Sequence, residues 1–274
     1  MLLQRPRTER SAVLREARDT TRRVARTFAI ACRLLPRPIR DDVYLLYLVF
    51  RTLDDLVDGG SPDAGARLGA VEEWCRDGSG SSAEVSILDD VATRHDLPRH
   101  AILDFCRGMR CDLAGHTIET EQQLEEYCYR VAGTVGVVMA HVLEVSDDSA
   151  YDDAAALGMA MQLTNILRDI DEDLAQGRVY LAQESVARCG SLEAGRREAL
   201  MRDQIPRAEA LYERGEAGIP KLRRGRRAIA MAAAMYREIL RQIEREGYGA
   251  RPGRAVVPRR RKYALAARAG ARTR

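Results

Sequence analysis

Val43-Tyr44-Leu45-Leu46-Tyr47-Leu48-Val49-Phe50 is apolar on every side of the helix it predicts, and it leads directly into Asp54-Asp55-Leu56-Val57-Asp58. A helix that is apolar all round is buried on all its faces, so carboxylates that continue it are expected to line an interior cavity. Residues four apart share one helical face at about 6 Å, which points Asp54 and Asp58 in one direction. Two like charges at that spacing repel unless a cation lies between them. Asp169-Ile170-Asp171-Glu172-Asp173 repeats the arrangement far downstream. Mg2+ takes oxygen ligands, keeps several waters and accepts one or two carboxylates alongside substrate phosphates, so the pattern predicts a metal site for a diphosphate. A solvated acidic face is the plainer reading of either cluster taken singly; the apolar flanks argue against it.

The rest of the chain reads as helix. Of its 274 residues, 31% are charged and 46% hydrophobic, rich in Ala, Leu, Arg and Glu and poor in alternating β-branched runs. Helical periodicity predicts segments at about 10–34, 39–57, 63–76, 84–94, 98–113, 121–144, 151–175, 191–217 and 220–247. Pro36, Pro38 and the Gly59-Gly60-Ser61-Pro62 loop punctuate them. With neither an internal repeat nor a domain linker, the expected organisation is one all-α domain over 1–274 with a basic tail at about 250–274.

Cys32, Cys75, Cys106, Cys111, Cys128 and Cys189 show no CxxC spacing and read as reduced packing thiols. No apolar run approaches the length of a membrane span, and Met1-Leu2-Leu3-Gln4-Arg5-Pro6-Arg7 lacks a signal-peptide core, so the expected location is cytoplasmic. The net charge of +3 conceals an asymmetry: residues 221–274 carry 17 Lys or Arg against 3 Glu. The tail reads first as a solvated basic surface, and otherwise as a contact to nucleic acid, a peripheral contact to an anionic membrane, or counter-charge for a diphosphate. Nucleic-acid binding is disfavoured, because it would leave both acidic stripes without a purpose.

Gln162, Asn165, Asp169 and Asp173 fall at i, i+3, i+7 and i+11, one polar stripe between Leu163, Ile166, Leu167 and Ile170. Tyr47, Arg51, Asp54 and Asp58 form a matching stripe on the earlier helix. Two such faces can enclose one metal-diphosphate site. Arg51 and Arg168 adjoin the clusters and read either as ion-pair partners or as bidentate phosphate ligands. Gly133 and Gly136 each cost about 1 kcal/mol inside a helix, which implies a kink or a close approach there.

Arg26-Thr27-Phe28, Tyr47 through Asp58, Tyr127 through Gly136, and Gly158 through Leu181 stand in an order and spacing that resembles the phytoene synthase and squalene synthase family of head-to-head prenyl transferases. The resemblance implies an all-helical isoprenoid synthase fold around a central cavity. It implies that Asp54, Asp58, Asp169 and Asp173, with Asn165, hold Mg2+ or, alternatively, Mn2+. Arg26, Thr27, Arg51, Gln162 and Arg168 would bind diphosphate, and Phe28, Tyr47, Tyr127, Tyr180 and Tyr236 would line the site, Tyr47 and Tyr127 with a catalytic role. Residues Ala25-Arg26-Thr27-Phe28 lack one of the two hydroxyls the family usually places around the basic residue, and Leu48 is bulkier than the family's usual small residue.

The reaction so implied is ionisation of an allylic prenyl diphosphate (C5 to C20) and capture of the cation by a second prenyl diphosphate. NADPH is not indicated, since no Gly-rich dinucleotide loop is present. Capture by an aromatic or other small non-prenyl acceptor is the main alternative, and closure of the cation on its own chain, as in a terpene cyclase, a third.

Overall fold

A computed structural model of the protein describes residues 7–258, 260–262 and 264–265. Twelve α-helices are present among them: α1 Arg7–Val24, α2 Arg26–Cys32, α3 Arg37–Asp58, α4 Ala64–Asp77, α5 Ala83–Ala92, α6 Arg99–Leu113, α7 Glu121–Cys128, α8 Thr134–Leu143, α9 Ser149–Ala175, α10 Gln183–Cys189, α11 Glu198–Gly218 and α12 Arg226–Arg245. No strand forms among the described residues; Val145 and Leu222 make a single antiparallel bridge. The architecture is all-α, as the periodicity predicts.

Pro38 sits in the first turn of α3, where its fixed φ suits a helix start, and Gly60 at φ +61° closes the chain after Asp58. Between those ends every residue from Val43 to Phe50 except Tyr47 is buried. Thr120 starts α7 with a reciprocal capping box to Gln123. A π-helical turn, Tyr129–Gly133, then joins α7 to α8 without breaking the rod.

The core divides into two lobes. One is built mainly on α3 to α6 and α8, around Trp74, Leu46 and Ile102; the other on α7 and α9 to α12, around Tyr212, Leu167 and Leu200. Tyr129 and Ile229 pack against both. Glycines hold the lobes together where helices touch. A Cβ on Gly136 would lie 2.2 Å from the Ala154 carbonyl oxygen, and one on Gly158 would lie 2.2 Å from that of Ala132. Of the kink or close approach expected there, the close approach is present.

Three expectations differ from the structure. The helix expected at 10–34 is two, broken at Ala25, whose ψ of 59° is non-helical. α10 was not anticipated, and α11 and α12 start later than expected, at Glu198 and Arg226. The six cysteines are free, four of them buried, in keeping with packing thiols. No described helix is long and apolar enough to cross a membrane. Residues 1–6, Arg259, Tyr263 and 266–274, which include much of the basic tail, lie outside the described residues.

Candidate active site

Between the lobes lies a cavity of about 350 Å3. Its walls are mostly apolar: Phe50 and Phe105 meet edge to face at 4.8 Å, and Val135, Met139 and Leu157 continue the lining. Polar groups reach it only at one end, from α3, α9 and α12. Tyr47, Arg51 and Asp54 enter from α3, and Gln162 and Asn165 from α9. Phe28 and Tyr236 complete that end, with Phe28 packed against Tyr47 at 5.6 Å between ring centroids. The inner members of the two stripes read from the sequence thus face one shared hollow.

The remaining predicted carboxylates lie beyond the cavity, at its rim. Helical periodicity carries Asp58 and Asp173 one turn further out than Asp54 and Asp169, and Asp58 is exposed. Arg178, on the loop after α9, donates to the Asp58 carboxylate at 2.5 Å and to its backbone carbonyl at 3.0 Å, while its own N–H bonds the Asp173 carbonyl at 2.8 Å. This arginine ties the ends of α3 and α9 together. Asp171 points away from the rim, as its odd position in the helix requires, and binds the buried Arg197 bidentately at 2.6 and 2.8 Å.

Guanidinium groups hold three of the four acids. Arg51 bonds Asp54 at 3.0 Å and also pairs with Asp55. Arg168 and Arg254 both bond Asp169, at 2.6–2.7 Å and 2.8–3.0 Å. Asp173 has no such partner among the described residues. Burial, and then repulsion from Asp58, raises the Asp54 pKa to about 6 despite Arg51. Burial and Asp169 raise that of Asp173 to about 6. These are carboxylates short of positive charge.

A divalent cation fits this donor set. Every side chain on offer presents oxygen, and the buried Asn165 Oδ1 has no hydrogen-bond partner. Among the described residues no three His, Cys, Asp or Glu converge as a ready-made cage. An open set of this kind suits an ion that retains water and shares phosphate oxygens with its substrate.

Several site features were not identified from the sequence. Asp112 on α6 accepts a hydrogen bond from Tyr127 at 3.2 Å, and burial, with added repulsion from Asp58 and Asp54, lifts its pKa to about 7. Tyr127 stacks on Tyr180 at 5.3 Å, and both lie at the acidic rim outside the apolar cavity wall. Arg26 is exposed beside the rim, and Thr27 beside it is half-buried; neither lines the cavity. Arg168, which bonds Asp169, also lies near the Tyr236 hydroxyl. From the basic tail, Lys262 is half-buried near Arg168 and Arg26, and burial together with their charges lowers its pKa. Lys262 and Arg254 make the described tail a source of counter-charge at the acidic end, one of the readings left open above.

Comparison with known proteins bears on the family and the fold. A family model described as squalene/phytoene synthase matches residues 21–261. A 15-cis-phytoene synthase of Synechococcus elongatus is 34% identical, covering 92% of this chain and 90% of that protein. A phytoene synthase of Thermus thermophilus is 39% identical, covering 81% of this chain and 80% of its own length. Among solved structures, a dehydrosqualene synthase in complex with ligand superposes with a TM-score of 0.88 at 28% identity, over 97% of this chain and 98% of the other.

Proposed function

The chain belongs to the squalene/phytoene synthase family of prenyl-transferring enzymes, and from that premise we propose that it joins two allylic prenyl diphosphates head to head in a Mg2+-dependent reaction. One observation carries the proposal: the polar stripes of α3 and α9 meet at one end of a cavity that is otherwise apolar. Diphosphate belongs at the acidic, arginine-rich end and the prenyl chain in the dry one.

Asp54, Asp58, Asp169 and Asp173, with Asn165, are the groups that would hold Mg2+, and the bound ion supplies charge neutralisation for the departing diphosphate. Arg51, Arg168 and Arg178, already at the rim, are placed to turn their donors from carboxylate to phosphate oxygens. When the allylic C–O bond breaks, its electron pair leaves with the diphosphate. The cation remains in a chamber whose apolar walls exclude water. Phe28 and Tyr47 line it, and an aromatic ring face turned to a desolvated cation stabilises it by about 1–2 kcal/mol. Burial pushes the Tyr47 hydroxyl up to about 12, so it stays protonated and does not quench the cation as a phenolate. The double bond of the second substrate then supplies the electrons for the new C–C bond. Loss of two protons in all, one after the new bond forms and one after the second diphosphate departs, completes a triene of the phytoene type.

A small aromatic acceptor draws no support from relatives that are themselves phytoene synthases. Incubating the purified protein with Mg2+ and, separately, C5, C10, C15 and C20 allylic diphosphates tests the proposal. Release of pyrophosphate together with a hydrocarbon of twice the donor's carbon number is expected. Release with only alcohol or a cyclised monomer as product would refute it.

A further inference from the structure

The end of the cavity opposite the acids is closed by a thin wall. Ile219 and Leu222, in the segment between α11 and α12, line it together with Leu143 at the end of α8. Backbone bonds from Ser146 to the Lys221 carbonyl (2.8 Å) and from Arg223 to the Glu144 carbonyl (2.7 Å) fasten that segment to the loop after α8. Gly225 has φ +75°, and a Cβ there would lie 2.7 Å from Leu35 and 2.8 Å from Leu143, so the wall has no spare room.

On its outer side is a groove that shares Ile219 with the cavity. Leu34, Pro36 and Pro220 give it an apolar floor, and Leu34 is 46% exposed. Arg223, Arg226 and Arg227 rim it, and no carboxylate is among its lining residues. Arg223 and Arg226 each donate Nε to a backbone carbonyl, of Val145 and Leu222, and neither meets an acid among the described residues. Arg33 and Arg37 flank the groove on the α2–α3 turn, both exposed. An apolar strip framed by arginines at one end of a bundle is the pattern of a surface that rests on anionic lipid.

We propose that this face docks on a bilayer of anionic phospholipid, which brings the apolar end of the cavity within one side chain of the membrane interior. The charge complementarity is local to this end: the described tail cations Arg254 and Lys262 lie at the opposite, acidic end beside Asp169 and Arg168. The functional sense of the contact rests on the reading of the cavity's product as a long hydrocarbon, which has no stable place in water. The docking itself needs no substrate.

The test is co-sedimentation of the full-length protein with vesicles of phosphatidylglycerol and phosphatidylcholine, against vesicles of phosphatidylcholine alone. Binding to the anionic vesicles only, weakened by added salt, is expected. Each arginine near such a surface strengthens partitioning about fivefold, so Arg33→Ser with Arg37→Ser should weaken it roughly 25-fold without changing the thermal transition. Leu34→Glu is a second probe, expected to weaken it further. Absence of binding to anionic vesicles at low ionic strength would overturn the proposal. So would variants that bind as the parent does, since the contact would then lie elsewhere. Because no prenyl substrate is present, either failure leaves the catalytic reading to be judged by its own assay.

Discussion

Replacing Gly158 by alanine would set a side-chain carbon 2.2 Å from the Ala132 carbonyl oxygen and 3.1 Å from the Gly133 Cα. Both neighbours are backbone, so relief requires α9 to move from the α7–α8 rod by about 1 Å, the shortfall from an ordinary contact. Overpacking of this kind costs about 1–3 kcal/mol, and contact with backbone on both sides favours the upper end. The better helix propensity of alanine returns up to about 1 kcal/mol, leaving a net loss near 2 kcal/mol. For a chain of this size that lowers Tm by roughly 5 °C. The same shift moves Gln162 and Asn165, one and two turns further along α9, relative to Asp54 on α3. Gly158→Ala should therefore lose activity as well as stability, measured by thermal unfolding and by pyrophosphate release. Gly65→Ala on the exposed face of α4, with nothing within 4 Å, serves as the control and should be neutral or slightly stabilising. If Gly158→Ala unfolds at the parent's temperature with full turnover, the glycine contacts do not set the spacing of the site.

Other perturbations have equally definite outcomes. Asp54→Asn should reduce turnover by at least about 100-fold while raising the Tm of the metal-free protein at pH 7.5, because it removes a carboxylate that burial and Asp58 disfavour. The folded-state pKa values of Asp54 and Asp173, about 6, lie above the unfolded ones, so their contribution is fully present below about pH 4 and is lost as pH rises through 6. After allowance for solvent screening at these half-exposed groups this amounts to about 1 kcal/mol each. Mg2+ should consequently raise Tm more at pH 7.5 than at pH 5, and an equal shift at both would count against these acids as its ligands. Asp112→Asn should raise the metal-free Tm at pH 8 more than at pH 4, since the Asp112 pKa is lifted to about 7; an unchanged pH profile would show that the group is not buried as described.

The parts of this molecule that sequence reading recovered are those in which the signal repeats within a helix. The run from Val43 to Phe50 predicts a fully buried rod because no polar face interrupts it, and Gln162 to Asp173 predicts a polar stripe because apolar residues separate its members at helical period. Proline and glycine mark the ends of α3. Ala25 carries no such mark, so the break between α1 and α2 was hidden, and α10 is too short, at seven residues, to establish a period. The missed site residues share another trait: their roles come from distant contacts. Arg178 meets Asp58 across 120 positions, Arg254 meets Asp169 across 85, and Asp112 meets Tyr127 from a different helix. Arg178 even stood within a segment quoted for its family likeness, yet only the loop after α9 reveals that it bridges the two clusters. Tyr127 belongs with them: its aromatic character gives no sign that its hydroxyl bonds Asp112 at the rim.

The central claim is that two allylic diphosphates meet in the one cavity and leave as one hydrocarbon. Supplying an equal mixture of deuterated and unlabelled donor with Mg2+, and reading the product by mass spectrometry, tests it directly. The account predicts unlabelled, half-labelled and fully labelled hydrocarbon in binomial proportions, all abolished by chelation of the metal. A product that carries either one whole label or none, with no half-labelled species, would contradict it.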